Sequence, residues 1–209
     1  MATDYTIQQG DHLTRIAGEH GFRTLLPIWN HPRNEALRAL RASPHVLLPG
    51  DVLHIPDLTE KTVSRATGAT HVFRARGQRL RVRLKALDHR FRAIGDLRCQ
   101  LDISGPGDAP ATDGEGVVQK MVPANAESGL LRVGEDVMPL RVGHLDPVDA
   151  PTGAQARLNA LGYDAGESND PADPQFRSAI EELQCDAGLQ VSGLLDADTL
   201  SKLLSLHGC

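Results

Sequence analysis

The sequence predicts a multidomain α+β protein in which a small βααβ domain, an antiparallel β-sandwich and a three-helix domain follow one another. Three observations lead there. Residues 1–58 begin and end on short alternating runs with helical spacing between them, and from His71 the hydrophobic period falls to two. After Pro147 the i, i+3, i+4 spacing of helices returns. Residues 59–70, polar and without periodicity, read as a linker, which sets the domains at 1–58, 71–147 and 148–209.

In the first domain Tyr5 and Ile7 alternate with Thr6 and Gln8 as a strand does, and Leu13, Ile16 and Ala17 share one helix face. Asp11 stands at the expected N-cap, and Gly10 turns the chain before it. Thr24 is the expected cap of a second helix whose buried stripe is Leu25, Ile28 and Trp29, with Pro27 tolerated in the first turn. His31-Pro32 interrupts, Asn34 to Leu40 restarts a helix with Leu37 and Leu40 inward, and Pro49-Gly50 launches a last strand.

Taken together, Tyr5-Thr6-Ile7, Gly10-Asp11, Leu13, Ile16-Ala17, Trp29-Asn30 and Pro49-Gly50-Asp51 with Leu53 and Ile55-Pro56 resemble the LysM domain, a small module that binds N-acetylglucosamine-containing glycans. The interval from Asn30 to Pro49 is longer than usual in that family, as an inserted helix over 33–42 would make it. The resemblance implies a shallow glycan groove with Gly10, Asp11, His12 and Leu13 on one side and Val46, Leu47, Leu48 and Pro49 on the other.

In the middle, Leu80-Arg81-Val82-Arg83-Leu84-Lys85-Ala86-Leu87 alternates strictly, the pattern of a strand with one face buried. Cys99, Leu101 and Ile103 mark a second strand before a Gly105-Pro106-Gly107 turn. Further strands are expected over Gly116–Val122, Leu130–Val133 and Val137–Val142, a spacing that suggests an antiparallel sandwich. The turn Thr112-Asp113-Gly114-Glu115-Gly116 and the exit Val122-Pro123 resemble transthyretin-like, carboxypeptidase-regulatory sandwiches.

In the last domain Ala154, Leu158 and Leu161 share a face before Gly162. Asp173-Pro174 opens a second helix carrying Phe176, Ile180, Leu183 and Ala187 to Gly188, and Asp196 opens a third with Leu200, Leu203 and Leu204 to Gly208. With Gln155-Ala156-Arg157-Leu158-Asn159-Ala160-Leu161-Gly162-Tyr163, Leu183-Gln184, Ser192-Gly193 and Thr199, this stretch resembles the three-helix peptidoglycan-binding domain of cell-wall hydrolases. It departs from that family at Asn169 to Phe176.

The net charge of −5 over 209 residues argues against a nucleic-acid partner, which needs a concentrated positive surface. The charge is uneven: Arg74, Arg76, Arg79, Arg81, Arg83 and Lys85 make the middle basic, while Glu181, Glu182, Asp186, Asp196 and Asp198 are among the acidic residues of the last domain. The face of Arg81, Arg83 and Lys85 is expected to meet an acidic protein partner. Cys99, Cys185 and Cys209 form no CxxC motif and suit a reduced compartment, with a Cys185–Cys209 bridge as the alternative. Met1 to Asp4 lacks a signal-like start, and no apolar run could span a bilayer, so the expected location is the cytoplasm, with export by a secretion apparatus that needs no signal peptide.

No cofactor is expected. The nine histidines form neither HxH nor HExxH, and there is no GxSxG elbow or phosphate loop, so catalysis is not expected. His207-Gly208-Cys209 reads as a helix end and tail. The order of parts, through Leu140-Arg141-Val142-Gly143-His144-Leu145-Asp146-Pro147-Val148, is similar to LysM-containing proteins associated with type VI secretion spikes and their toxic cargo. That resemblance implies an adaptor of a contractile injection system whose partner is a spike protein or a toxin, with peptidoglycan as a second contact. The alternative is a module that anchors a partner to peptidoglycan.

Overall fold

The computed structural model describes residues 2–59, 62–72, 79–104 and 111–208. The Gly105-Pro106-Gly107 turn, Arg74, Arg76 and the Cys185–Cys209 pairing lie outside the described residues, through Cys209 in the last case. The fold is mixed α+β. It divides into two compact units, one of Met1–His45 with Pro49–His144 and one of Val46–Leu48 with Leu145–Cys209.

The first unit opens on strand β1 (Thr3–Thr6), which pairs antiparallel with β2 (Val52–Ile55) in the register Thr3↔Ile55 to Thr6↔Val52. Between them lie α1 (Leu13–Glu19), α2 (Leu26–Trp29), a 3-10 turn (Pro32–Asn34) and α3 (Glu35–Leu40). The helical content over 33–42 is where the long Asn30–Pro49 interval places it. Leu13, Ile16, Ala17, Ile28, Leu37 and Leu53 are buried, as the periodicity predicts for all but the last, which the strand supplies. Leu40 is 61% exposed instead of inward, because α3 is too short to carry a second buried turn. The N-cap position of α2 is Leu25, which offers no side-chain bond, so Thr24 does not cap it.

Asn34 holds this module together in a way the periodicity does not show. Its Nδ2 donates to the Ile28 and His54 carbonyls, each at 2.8 Å, and its Oδ1 accepts from the His54 N–H at 2.7 Å. A helix end and a strand are thereby tied through one buried amide, 1% exposed. Arg41 and Asp51, both nearly buried, add a two-pronged ion pair at 2.8 and 3.0 Å.

The same unit continues into β3 (Arg79–Lys85), β4 (Cys99–Ile103), β5 (Val117–Pro123), β6 (Ser128–Val133) and β7 (Asp136–Arg141). β3 pairs with β5, and β4, β6 and β7 form a three-stranded antiparallel sheet in that order, the chain leaving it for β5 between β4 and β6. Alternation decides which side chains meet: Leu80, Val82 and Leu84 pack on a core of Leu101, Ile103, Val122 and Ala126, leaving Arg81, Arg83 and Lys85 outside. The 112–116 turn is built from side chains. The Thr112 hydroxyl donates to the Ile94 carbonyl and accepts from the Leu97 N–H, and Asp113 accepts from the N–H groups of Glu115 and Val117.

In the second unit α4 (Pro151–Ala160), α5 (Pro174–Asp186) and α6 (Ala197–His207) bury Ala154, Leu158, Phe176, Ile180, Leu183 and Leu203. Asp173 and Asp196 cap the last two helices, accepting from Gln175 and Phe176, and from Thr199. Leu204 is 38% exposed, since it lies one position round from Leu203, which takes the inward place.

Candidate functional site

The residues expected to form one side of a glycan groove are drawn inward. Asp11, His12 and Leu13 are 9%, 3% and 0% exposed. Asp11 is not the helix cap. Its carboxylate accepts from the Tyr5 hydroxyl at 2.8 Å and the Gln8 N–H at 2.9 Å, which pins the turn after β1, and burial with this bond pushes the Tyr5 phenol up to about 12. The cap is His12, one residue later, whose Nδ1 accepts from the Arg15 N–H at 3.3 Å.

What lies over this turn is the end of the same unit. The His144 Nε2 sits 3.2 Å from where a Gly10 side chain would begin, and a Cβ on Gly143 would fall 2.5 Å from the Gly10 carbonyl oxygen and 3.1 Å from His12 Cδ2. Both glycines have φ near +80 to +90°, so only glycine fits without strain and without moving its neighbour. Of the other expected groove residues, Leu47 is buried, Val46 and Leu48 are half-buried and Pro49 is exposed; Val46–Leu48 belong to the second unit.

The other ring nitrogen of His12, Nε2, is buried without a hydrogen-bond partner among the described residues. Burial, then the charges of His45 and Arg15, lower its pKa from 6.5 to about 4, against weaker opposing pulls from Asp11 and the Ala124 carbonyl. Above pH 6.5 the ring is neutral folded and unfolded; below that the unfolded chain takes up the proton first. Stability of the first unit should therefore fall as the pH drops from 6.5 toward 4, by up to about 3 kcal/mol. His12→Asn, which keeps a capping acceptor and loses the titrating proton, should flatten the difference between thermal unfolding at about pH 7 and about pH 4.5.

Beside His12 lies a cleft of about 680 Å3, wholly within the first unit. His12, Thr14, Arg23, Thr24, Leu25 and His45 line it from the first module. Arg79, Leu80, Arg81, Val82, Val142 and Gly143 line it from the β region. No carboxylate is among these described residues. Of the expected protein-binding residues, Arg81 reaches this cleft, while Arg83 and Lys85 are exposed farther along β3 and do not line it. Arg23 comes from another part of the chain, between α1 and α2, and no local pattern marks its place here.

In the second unit two buried glutamines organise the loops. Gln155 Nε2 donates to the carbonyls of Ala165, Gly166 and Ser168. Gln184, 0% exposed, donates to Ser192 Oγ, the Leu194 carbonyl and Thr199 Oγ1 and accepts from the Ser192 and Gly193 N–H groups. The loop thus fixed presents Val191 and Leu194 to solvent, 55% and 65% exposed. Arg157, 1% exposed, donates to the Asp146 and Gly153 carbonyls and binds the entry segment to α4.

Three helices joined by loops that buried amides hold make up a small helical domain. Residues 150–203 match the family model described as "Putative peptidoglycan binding domain". No curated protein and no solved structure matches the chain. Among the described residues no group of three or more His, Cys, Asp or Glu could hold a metal ion, and no helix is long and apolar enough to cross a membrane.

Proposed function

We propose that this is a non-catalytic attachment protein whose helical domain binds peptidoglycan and whose first unit holds a protein partner. The match over 150–203 carries the first half. A glycan site needs an apolar floor for the sugar's C–H face beside fixed polar groups, and Val191 and Leu194 flank the Ser192–Gly193 backbone that Gln184 fixes. For the second half, the support is that Gly143 and His144 cover the turn that a LysM-like module would offer to sugar, which favours protein contacts for that module. The partner suited to this reading is a spike protein or toxin of a type VI or similar contractile injection system, to which the chain would be an adaptor.

The test is co-sedimentation of the whole protein with insoluble peptidoglycan sacculi. Saturable pelleting is expected. The double variant Val191→Asp and Leu194→Asp, with its helical signal intact, should lose most of it. Absence of pelleting by the unaltered protein would overturn the wall half, and full pelleting by the folded variant would move the contact elsewhere on the domain.

A further inference from the structure

We propose that the free edge of β3 is a docking site for an extended, acidic segment of a partner protein, which would add to the sheet as a strand while its carboxylates pair with Arg23, Arg79 and Arg81. Side chains of a strand alternate between faces, so a cleft on one face would meet every second residue. Here four consecutive residues, Arg79 to Val82, line it. The cleft therefore runs along an edge. One edge of β3 is filled by β5 and no β5 residue lines the cleft, which leaves the other edge, unpaired among the described residues.

Unpaired backbone N–H and C=O groups on such an edge are the groups that strand addition satisfies. Charged residues on an edge strand also discourage pairing with a second copy. Arg23 has no such duty. It comes from the first module, before α2, and converges on the same cleft, and none of the three arginines has an ion-pair partner among the described residues. Three cations with no counter-ion among the described residues, an apolar wall of Leu25 and Val142 and a volume within the range of ligand sites suit a peptide of alternating acidic and aliphatic residues.

This deepens the partner half of the proposed function and rests on it; the wall half is independent. The probe is a fluorescein-labelled heptapeptide alternating Val and Glu, titrated by anisotropy against the whole protein at low salt. It should bind, and a Val and Lys counterpart should not. Arg79→Glu with Arg81→Glu, and separately Arg23→Glu, should each weaken binding by about tenfold or more, with sacculus pelleting unchanged. N-methylation of alternate peptide amides, which removes main-chain donors and keeps the charge, should weaken it by a similar factor.

Equal binding of the acidic and basic probes, or none at millimolar concentration, would overturn the site. Undiminished binding of the N-methylated peptide would overturn strand addition, and soluble muropeptides displacing the probe more tightly than it binds would assign the cleft to the wall. A purified spike or toxin that binds the unaltered and Arg79→Glu, Arg81→Glu chains equally would overturn this site while leaving the partner reading standing. A spike or toxin that binds neither chain, with the peptide still bound, would overturn only the choice of partner.

Discussion

Gln184→Leu should destabilise the helical unit by about 4 kcal/mol, although leucine is a better helix former of similar size. This side chain meets five polar atoms within hydrogen-bond distance in a fully buried position. Leucine would leave the buried Gly193 N–H and Thr199 hydroxyl and the part-buried Ser192 N–H and Leu194 carbonyl without their partner, and an unpaired group costs about 1 to 3 kcal/mol where it is buried. Added apolar burial returns about 1 to 2 kcal/mol at best, so desolvation wins. A domain of this size has about 5 kcal/mol or little more in hand. Urea unfolding followed by far-ultraviolet circular dichroism should show the helical transition at much lower denaturant, and sacculus pelleting should go with it; an unchanged midpoint would mean that the loop finds other partners.

Gly153→Ala should be nearly as damaging, and here two effects oppose each other. Gly153 lies inside α4, where alanine is favoured by about 1 kcal/mol. Its Cβ, however, would clash with the Pro147 carbonyl oxygen and fall 2.6 Å from that of Asp146. Both obstacles are backbone, and the Asp146 carbonyl is also held by buried Arg157, so neither can yield as a flexible side chain would. The net effect should be a destabilisation of about 2 to 4 kcal/mol, read as a fall in the melting temperature of the helical unit. Gly162→Ala, at a helix end with open space around it, separates the clash from the backbone term, since it meets only the strain of its positive φ.

These two residues also show what could and could not be read from the chain. Wherever burial is periodic, the sequence carries it: Leu13, Ile16 and Ala17 on α1, Leu80, Val82 and Leu84 on β3, and Phe176, Ile180 and Leu183 on α5 all point inward as their spacing requires. Turns with side-chain chemistry are equally legible, as at Thr112 and Asp113. The buried amides are not, because Asn34 and Gln184 look like surface residues until the carbonyls they meet are in place. Adjacent capping residues are also ambiguous, which is why the role expected of Asp11 falls to His12. At the candidate site the covering of Gly10 by His144 and the meeting of Arg23 with Arg79 depend on distant parts of the chain, and no local pattern encodes them.

The seating of Gly143 and His144 on Gly10 and His12 also orders events in time. These residues are about 130 positions apart, so the contact closes a long loop and is entropically late. During synthesis the first module emerges with its pairing of β1 and β2 available early, yet the Gly10–His12 turn stays bare until β7 has left the ribosome. In that interval the nascent chain shows a face that the finished protein hides, and a chaperone that recognises it would act only on chains still being made.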